Sequence, residues 1–177
     1  MCVALLLAPL TAAGCLPGVN WYDTRRVPGY VVPPKITIVV DASDAALAAD
    51  HGGYIGTMAL TIREELAERG VESTILDPKP SRVPSPRVEI IVRGFVEGDA
   101  TESYLTGLVL MVPLGQGELG VLCRAYSPTN QLMFEGTLKG SISGQGNPMD
   151  LAEAAGTAIA KALTDPEGAR TKTKRNF

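Results

Sequence analysis

The chain has 177 residues, of which 45% are hydrophobic and 5% aromatic, a composition typical of one globular domain packed with aliphatic side chains. Its formal net charge of −3 gives no reason to expect a nucleic-acid partner. Outside the N-terminal segment, no apolar run reaches the length of a membrane-spanning helix, so none is predicted.

The first residues have the layout of an export signal that ends at a cysteine. The apolar run 3–10 is too short to span a bilayer, and the small residues 11–14 lead directly to Cys15. Cleavage there would remove residues 1–14 as a signal peptide and leave Cys15 at the new N-terminus. A signal usually opens with Lys or Arg, whereas residues 1–3 are uncharged. Either the signal is atypical or the true start lies upstream.

This segment resembles the processing motif of bacterial lipoproteins, although Ala12 stands where Leu is commoner. The resemblance implies that Cys15 is a lipid attachment site, with a diacylglycerol on its thiol and a further acyl chain, such as palmitate, on its amine. Several chains anchor firmly, because each buried methylene contributes roughly 0.8 kcal/mol. Leu16 replaces the Asp that retains lipoproteins in the inner membrane. The resemblance therefore implies the periplasmic face of the outer membrane.

Residues 15–34 are predicted to be a tether between the lipidated cysteine and the folded domain. Prolines and glycines recur through this segment, and such sequences favour extended backbone over helix. Its aromatic residues Trp21, Tyr22 and Tyr30 have two interpretations. They lie either at the membrane interface, which favours amphipathic rings, or at one edge of the domain.

The folded domain is predicted to span residues 35–164. After the first strand, Asp44–Gly53 is predicted to be a polar connection. Apolar residues at helical spacing then predict a helix from Tyr54 to the stop at Gly70, and Asn147 followed by Pro148 predicts the start of a second helix. Short β-branched or alternating runs predict strands over residues 35–41, 71–76, 88–96, 118–126 and 132–141.

The resulting order, β-α-β-β-β-β-α, predicts an α+β fold. Two helices are expected to pack on one mostly antiparallel sheet of about four to five strands, with the last two strands forming a hairpin. Residues 165–177 are polar and basic, and they are predicted to form a disordered tail because they have no apolar face to bury.

The residue types that catalysis or metal binding needs are scarce. His51 is the one histidine. It lies close to Asp44 and Asp50 in the predicted polar connection and is interpreted as a solvated loop residue rather than a ligand or general base. Cys123 lies in an apolar run and is predicted to be a small buried hydrophobe. The sequence therefore predicts no catalytic residue, no metal site and no cofactor.

An apolar stretch between the third strand and the hairpin is the candidate partner or ligand surface. If it is exposed it marks a partner site, and the competing interpretation is a buried strand. Its candidate contact residues are Tyr104, Leu105, Leu108, Leu110 and Leu114. The basic residues of 170–175 either touch anionic lipid headgroups or solubilise the terminus.

With these elements placed, the chain resembles a family of bacterial outer-membrane lipoproteins whose small α+β domain has no assigned function. The resemblance covers most of residues 13–163 and rests on residues 13–15, on the helix and Gly-Val ending of 54–71, on 88–94 with the turn 115–117, and on 150–163. It implies an exported lipoprotein with a compact α+β domain, and it supplies no catalytic residues.

Two functions follow as hypotheses. The first is a non-enzymatic accessory or docking component of a cell-envelope complex, held at the membrane by the lipid on Cys15 and bound to a protein partner. The second is a lipoprotein that binds lipid or a small molecule and assists envelope transport or lipopolysaccharide assembly. An apolar cavity would favour the second function, and an open edge strand would favour the first.

Overall fold

The computed structural model describes residues 17–42, 45–76, 83–96, 116–143 and 147–165. Within them the element order is β-β-α-β-β-β-β-α, which confirms the α+β class. The elements are β1 (Gly18–Arg26), β2 (Lys35–Asp41), α1 (Ala45–Glu68), β3 (Glu72–Leu76), β4 (Arg87–Val96), β5 (Gln116–Tyr126), β6 (Leu132–Ser143) and α2 (Pro148–Thr164).

The strands form one mixed sheet of six strands in the order β1-β6-β5-β4-β2-β3. The pairs β1–β6, β6–β5 and β5–β4 are antiparallel, which confirms the predicted hairpin. Strand β2 pairs in parallel with both β3 and β4, so the expectation of a mostly antiparallel sheet of four to five strands is corrected. The physical reason is that α1 returns the chain to the end where β2 began, and a strand that follows such a crossover is parallel.

Strand β1 lies in the segment that the sequence assigned to a tether. It pairs with β6 from Gly18 opposite Ser141 to Arg26 opposite Phe134. The prolines that suggested a tether, Pro17 and Pro28, flank the strand rather than interrupt it. The folded domain therefore begins well before residue 35.

The aromatic residues of this segment separate into two groups. Trp21 and Tyr30 are each 6% exposed and belong to the core, and the Trp21 ring meets the Phe134 ring edge-on at 5.6 Å between centroids. Tyr22 is 40% exposed. The interpretation that these residues lie at an edge of the domain therefore holds for Trp21, because β1 is an edge strand.

Helix α1 begins at Ala45, well before the predicted start at Tyr54. Alanine is the strongest helix former, and the alanines of 45–49 outweigh Gly52 and Gly53, which read as a connection in the sequence. His51 consequently lies in a helix and not in a polar loop.

The end of α1 matches its prediction. Gly70 has a φ of 77° and ends the helix. The amide of Val71 donates to Leu66 O at 2.9 Å and that of Gly70 to Ala67 O at 3.0 Å, the pair of bonds that defines a Schellman motif. At the start of α2, Asn147 Oδ1 accepts from the Met149 amide at 3.0 Å, which confirms the predicted N-cap.

Glycine permits unusually close packing around α2. A Cβ at Gly140 of β6 would lie 2.7 Å from Leu151 Cδ1 of α2. A Cβ at Gly156 of α2 would lie 2.9 Å from the carbonyl oxygen of Met58 in α1. The two helices therefore touch each other and cover the same face of the sheet. None of the helices in the described ranges is both long and apolar enough to cross a membrane.

We expect Gly156→Ala to lower the free energy of unfolding by about 1–3 kcal/mol, because the new methyl forces α1 and α2 apart. The matched control is Gly53→Ala in α1, where a Cβ meets nothing within 4 Å. Helix propensity should make that control more stable by up to about 1 kcal/mol. Urea unfolding measures both, and an equal gain in stability for the two variants would contradict the close packing.

Candidate functional site

The helices leave one face of the sheet free of helical contacts within the described residues, and we call it the helix-free face. Helix α2 packs on β1, β5 and β6, and α1 packs on β2, β3 and β4. On β5, the residues directed at the helices are buried: Leu119, Val121, Cys123 and Ala125. The alternate residues of β5, such as Glu118 and Arg124, lie on the helix-free face, as the period of two in a strand requires.

Ion pairs neutralise charges of the helix-free face at the end where β4 begins and β5 ends. Arg87 Nε lies 2.8 Å from Glu89 Oε1, and Arg124 Nε lies 2.7 Å from Glu135 Oε2. The hydrogen bond to Glu135 raises the pKa of Arg124. The guanidinium carbon of Arg87 also lies 4.0 Å from the Tyr126 ring centroid. Paired in this way, these charges are satisfied by one another.

A cleft of about 470 Å³ opens at the end of this face where β1 begins, and we call it the Gly18-end cleft. Strands β1, β4, β5 and β6 all contribute to its lining, so the residues converge from distant parts of the chain. Its polar and aromatic lining residues are Asn20, Tyr22, Arg93, Glu118, Lys139 and Ser141.

The cleft is concave because several of its lining residues are glycines, which have no side chain. Gly94 of β4 and Gly120 of β5 are paired side by side, and Gly18 lines the cleft on β1. The register shifts between Val92 and Gly94, and a bulge of this kind redirects the side chain of Arg93. A Cβ at Gly120 would lie 3.8 Å from Arg93 Cβ, an ordinary contact, and a Cβ at Gly94 would meet nothing within 4 Å. A side chain at either position would therefore fill the cleft without a clash.

The charges of the cleft differ from the ion-paired charges at the opposite end of the face. Arg93, Lys139 and Glu118 are all exposed. Within the described part of the chain, neither cation takes part in an ion pair. The ammonium of Lys139 lies 5.5 Å from the centroid of the Tyr22 ring, a cation–π contact. The cleft thus presents two cations, one carboxylate and one aromatic face to a ligand.

A second polar cluster, around Arg26, has a structural role. Arg26 Nη2 donates to the carbonyl oxygens of Ala162 and Leu163 at the C-terminus of α2, where a cation is favourable. Its guanidinium carbon lies 5.8 Å from the Tyr30 ring centroid and 5.5 Å from that of Phe134. Burial lowers the pKa of Arg26. This arginine fastens β1 to α2.

Burial also raises the pKa of Tyr30 to about 12, and its hydroxyl has no hydrogen-bond partner within the described ranges. The proton is therefore held more tightly in the folded state than in the unfolded state. This difference in pKa contributes to the free energy of unfolding. The contribution is fully present below pH 10, the unperturbed pKa of tyrosine, and is lost as the pH rises through about 12.

We expect Tyr30→Phe to keep or increase the free energy of unfolding at pH 7, because the lost hydroxyl is buried and unpaired. Between pH 10 and about 12, the variant should lose less stability than the wild type. Urea unfolding across this pH range provides the measurement. A large loss of stability at pH 7 would show that the hydroxyl has a partner.

The structure describes only some of the residues that the sequence singled out. Cys123 is fully buried, as predicted, and burial raises the pKa of its thiol. Cys15, the candidate surface residues Tyr104–Leu114 and the tail 170–175 lie outside the described residues. In the described ranges, no cluster of three His, Cys, Asp or Glu residues could hold a metal ion.

The Gly18-end cleft was missed from sequence, although glycines inside strands were a usable signal. Gly94 and Gly120 interrupt β4 and β5, and a glycine within a strand often marks a bulge or a close approach to a ligand. The pairing of these two glycines across the sheet depends on strand register, which short-range sequence patterns do not predict.

The fold is similar to that of solved structures of PelC. A PelC dodecamer from Paraburkholderia phytofirmans matches with a TM-score of 0.53 and 11% identity, over 84% of this chain and 97% of that one. A second dodecamer, of a PelC variant from the same organism, matches with a TM-score of 0.46 and 14% identity, over 89% of this chain and 99% of that one. No protein-family model and no curated protein matches the sequence. The chain therefore has a PelC-like α+β fold.

Proposed function

We propose that this protein is a non-enzymatic, lipid-anchored accessory lipoprotein of the cell envelope, which docks with other copies or envelope proteins at the periplasmic face of the outer membrane. One observation carries the proposal. Strand β1 begins at Gly18, three residues after Cys15, so the sheet begins almost at the lipid attachment site.

This spacing fixes which end of the domain would meet the membrane. Three residues span at most roughly 11 Å. A lipid on Cys15 would therefore hold the Gly18 end of the sheet, and the cleft with it, close to the bilayer surface. The same lipid would be joined to the sheet by three residues, instead of by the twenty-residue tether predicted over 15–34.

The candidate apolar surface is attached to the domain at the same end. Strand β4 ends at Val96 and β5 begins at Gln116, and these termini lie beside the start of β1 through the pairing of β5 and β1 with β6. We propose that the connecting residues Tyr104–Leu114 contact the membrane or the docked partner. Their apolar character suits either contact.

Docking with further copies draws support from the comparison, because the similar PelC chain is a dodecamer. The topology is compatible with such contacts, since β1 and β3 lie at the two edges of the sheet as described. Edge strands accept contacts from another chain. The competing function, a ligand-binding lipoprotein, is favoured by one observation, the Gly18-end cleft of about 470 Å³.

The experiment is membrane fractionation of cells that express the wild type, Cys15→Ser or the matched control Cys123→Ala. We expect the wild type and the control in the outer-membrane fraction and Cys15→Ser in the soluble fraction, because only Cys15 would carry lipid. Metabolic labelling with radioactive palmitate should mark the first two proteins and not the third.

Sedimentation of the detergent-solubilised wild type then tests docking between copies, against the mass of one processed and lipidated chain. An equal membrane fraction with and without Cys15 would refute the anchor. A mass of one chain, with no crosslinked envelope protein, would refute the docking role.

A further inference from the structure

We propose that the Gly18-end cleft binds a zwitterionic phosphoethanolamine headgroup of a membrane lipid. The inference rests on the proposed function, because the lipid on Cys15 is what brings the cleft to a bilayer. It adds a site and a ligand class to that function.

The charges of the cleft match a ligand that carries both signs. Arg93 and Lys139 are exposed and form no ion pair within the described residues, and guanidinium and ammonium groups are the usual partners of a phosphate. Glu118 borders the same cleft and would repel a second negative charge. An ammonium group on the ligand satisfies that carboxylate, while the Tyr22 ring already contacts the ammonium of Lys139.

A ligand with phosphate alone leaves Glu118 unmatched. A ligand with ammonium alone leaves both cations unmatched. Phosphoethanolamine satisfies all three groups at once, and it carries N–H donors for the carboxylate that a quaternary choline lacks. The cleft therefore discriminates by charge pattern rather than by net charge.

The shape of the cleft suits a small polar headgroup. Its volume of about 470 Å³ lies within the range of roughly 300–1,000 Å³ that is typical of small-ligand sites. The absence of side chains at Gly94 and Gly120 lets a ligand approach the backbone closely, which is a common use of glycine. The adjacent Asn20 and Ser141 supply neutral hydrogen-bonding groups.

Position selects a lipid as the source of this headgroup. Gly18 lines the cleft and follows Cys15 by three residues, so the cleft lies within roughly 11 Å of chain from the proposed anchor. Headgroups are the polar ligands found at that depth. A lipidated chain would meet them at high local concentration, which strengthens a second, weak contact.

The test measures vesicle binding by the mature chain, residues 15–177, carrying Cys15→Ser, so that neither the apolar signal segment nor an acyl anchor contributes. Three kinds of vesicle are compared. One is phosphatidylcholine alone, and the other two are phosphatidylcholine with the same added fraction of either phosphatidylethanolamine or phosphatidylglycerol. We expect binding to phosphatidylethanolamine vesicles to be about tenfold tighter than to the other two, the effect of roughly one additional charge-assisted contact. Soluble O-phosphoethanolamine should compete, and inorganic phosphate should compete less.

Three variants locate the binding. Gly120→Val fills the cleft and should weaken binding about tenfold while thermal stability is kept, because its Cβ makes only an ordinary contact with Arg93. Arg93→Ala with Lys139→Ala should abolish the preference, whereas the charge-matched control Lys35→Ala with Arg63→Ala should keep it. Glu118→Gln should make phosphatidylethanolamine and phosphatidylglycerol vesicles equivalent.

Other outcomes overturn the proposal. Tighter binding to phosphatidylglycerol vesicles would show attraction by net charge alone. Binding of soluble O-phosphoethanolamine without vesicle binding would assign the cleft to a free metabolite instead of a lipid. Unchanged binding by Gly120→Val would place the contact elsewhere. Because the protein tested carries no lipid, failure here leaves the Cys15 fractionation result intact, and the reverse also holds.

Discussion

The close approach of α2 to β6 and to α1 is the constraint on which the rest of the structure depends. Leu151 occupies the space above Gly140, and Gly156 brings the backbone of α2 against Met58 of α1. A side chain at either glycine would separate the layers. Because both helices are held together on one side, the opposite face of the sheet has no helix on it within the described residues, and its chemistry is left to the strands.

On that face, charge is distributed unevenly. Arg87 and Arg124, at the end of the face opposite the cleft, are paired with glutamates, so they contribute little to recognition. The cations of the Gly18-end cleft, Arg93 and Lys139, form no such pairs in the part of the chain that the structure describes. Strand β1 completes this cleft, and Arg26 holds β1 in place by binding the C-terminus of α2. The edge strand β1 thereby connects the helix layer to the Gly18-end cleft.

Local features of this fold were predictable from sequence, whereas long-range pairings were not. The Gly70 stop and the Asn147 cap depend on residues within one or two turns, and both were predicted. Strand β1 was missed because its partner Ser141 lies 123 residues from Gly18 (141 − 18), and only that pairing distinguishes it from a tether. The cleft was missed for the same reason, since its four strands meet only through register. The fold class was readable from sequence, but the arrangement of side chains on the helix-free face was not.

The central claim is that the Gly18 end of the sheet faces the membrane, and depth-dependent fluorescence quenching tests it most directly. The chemistry allows selective labelling, because Cys123 is buried and the Cys15 thiol would carry lipid. A fluorophore is attached at Ser141→Cys, beside the cleft, or at Leu132→Cys, at the opposite end of β6, in the lipidated protein on vesicles. The account predicts strong quenching by headgroup-labelled lipid at position 141 and little at position 132. Equal quenching at both positions, or stronger quenching at 132, would contradict it.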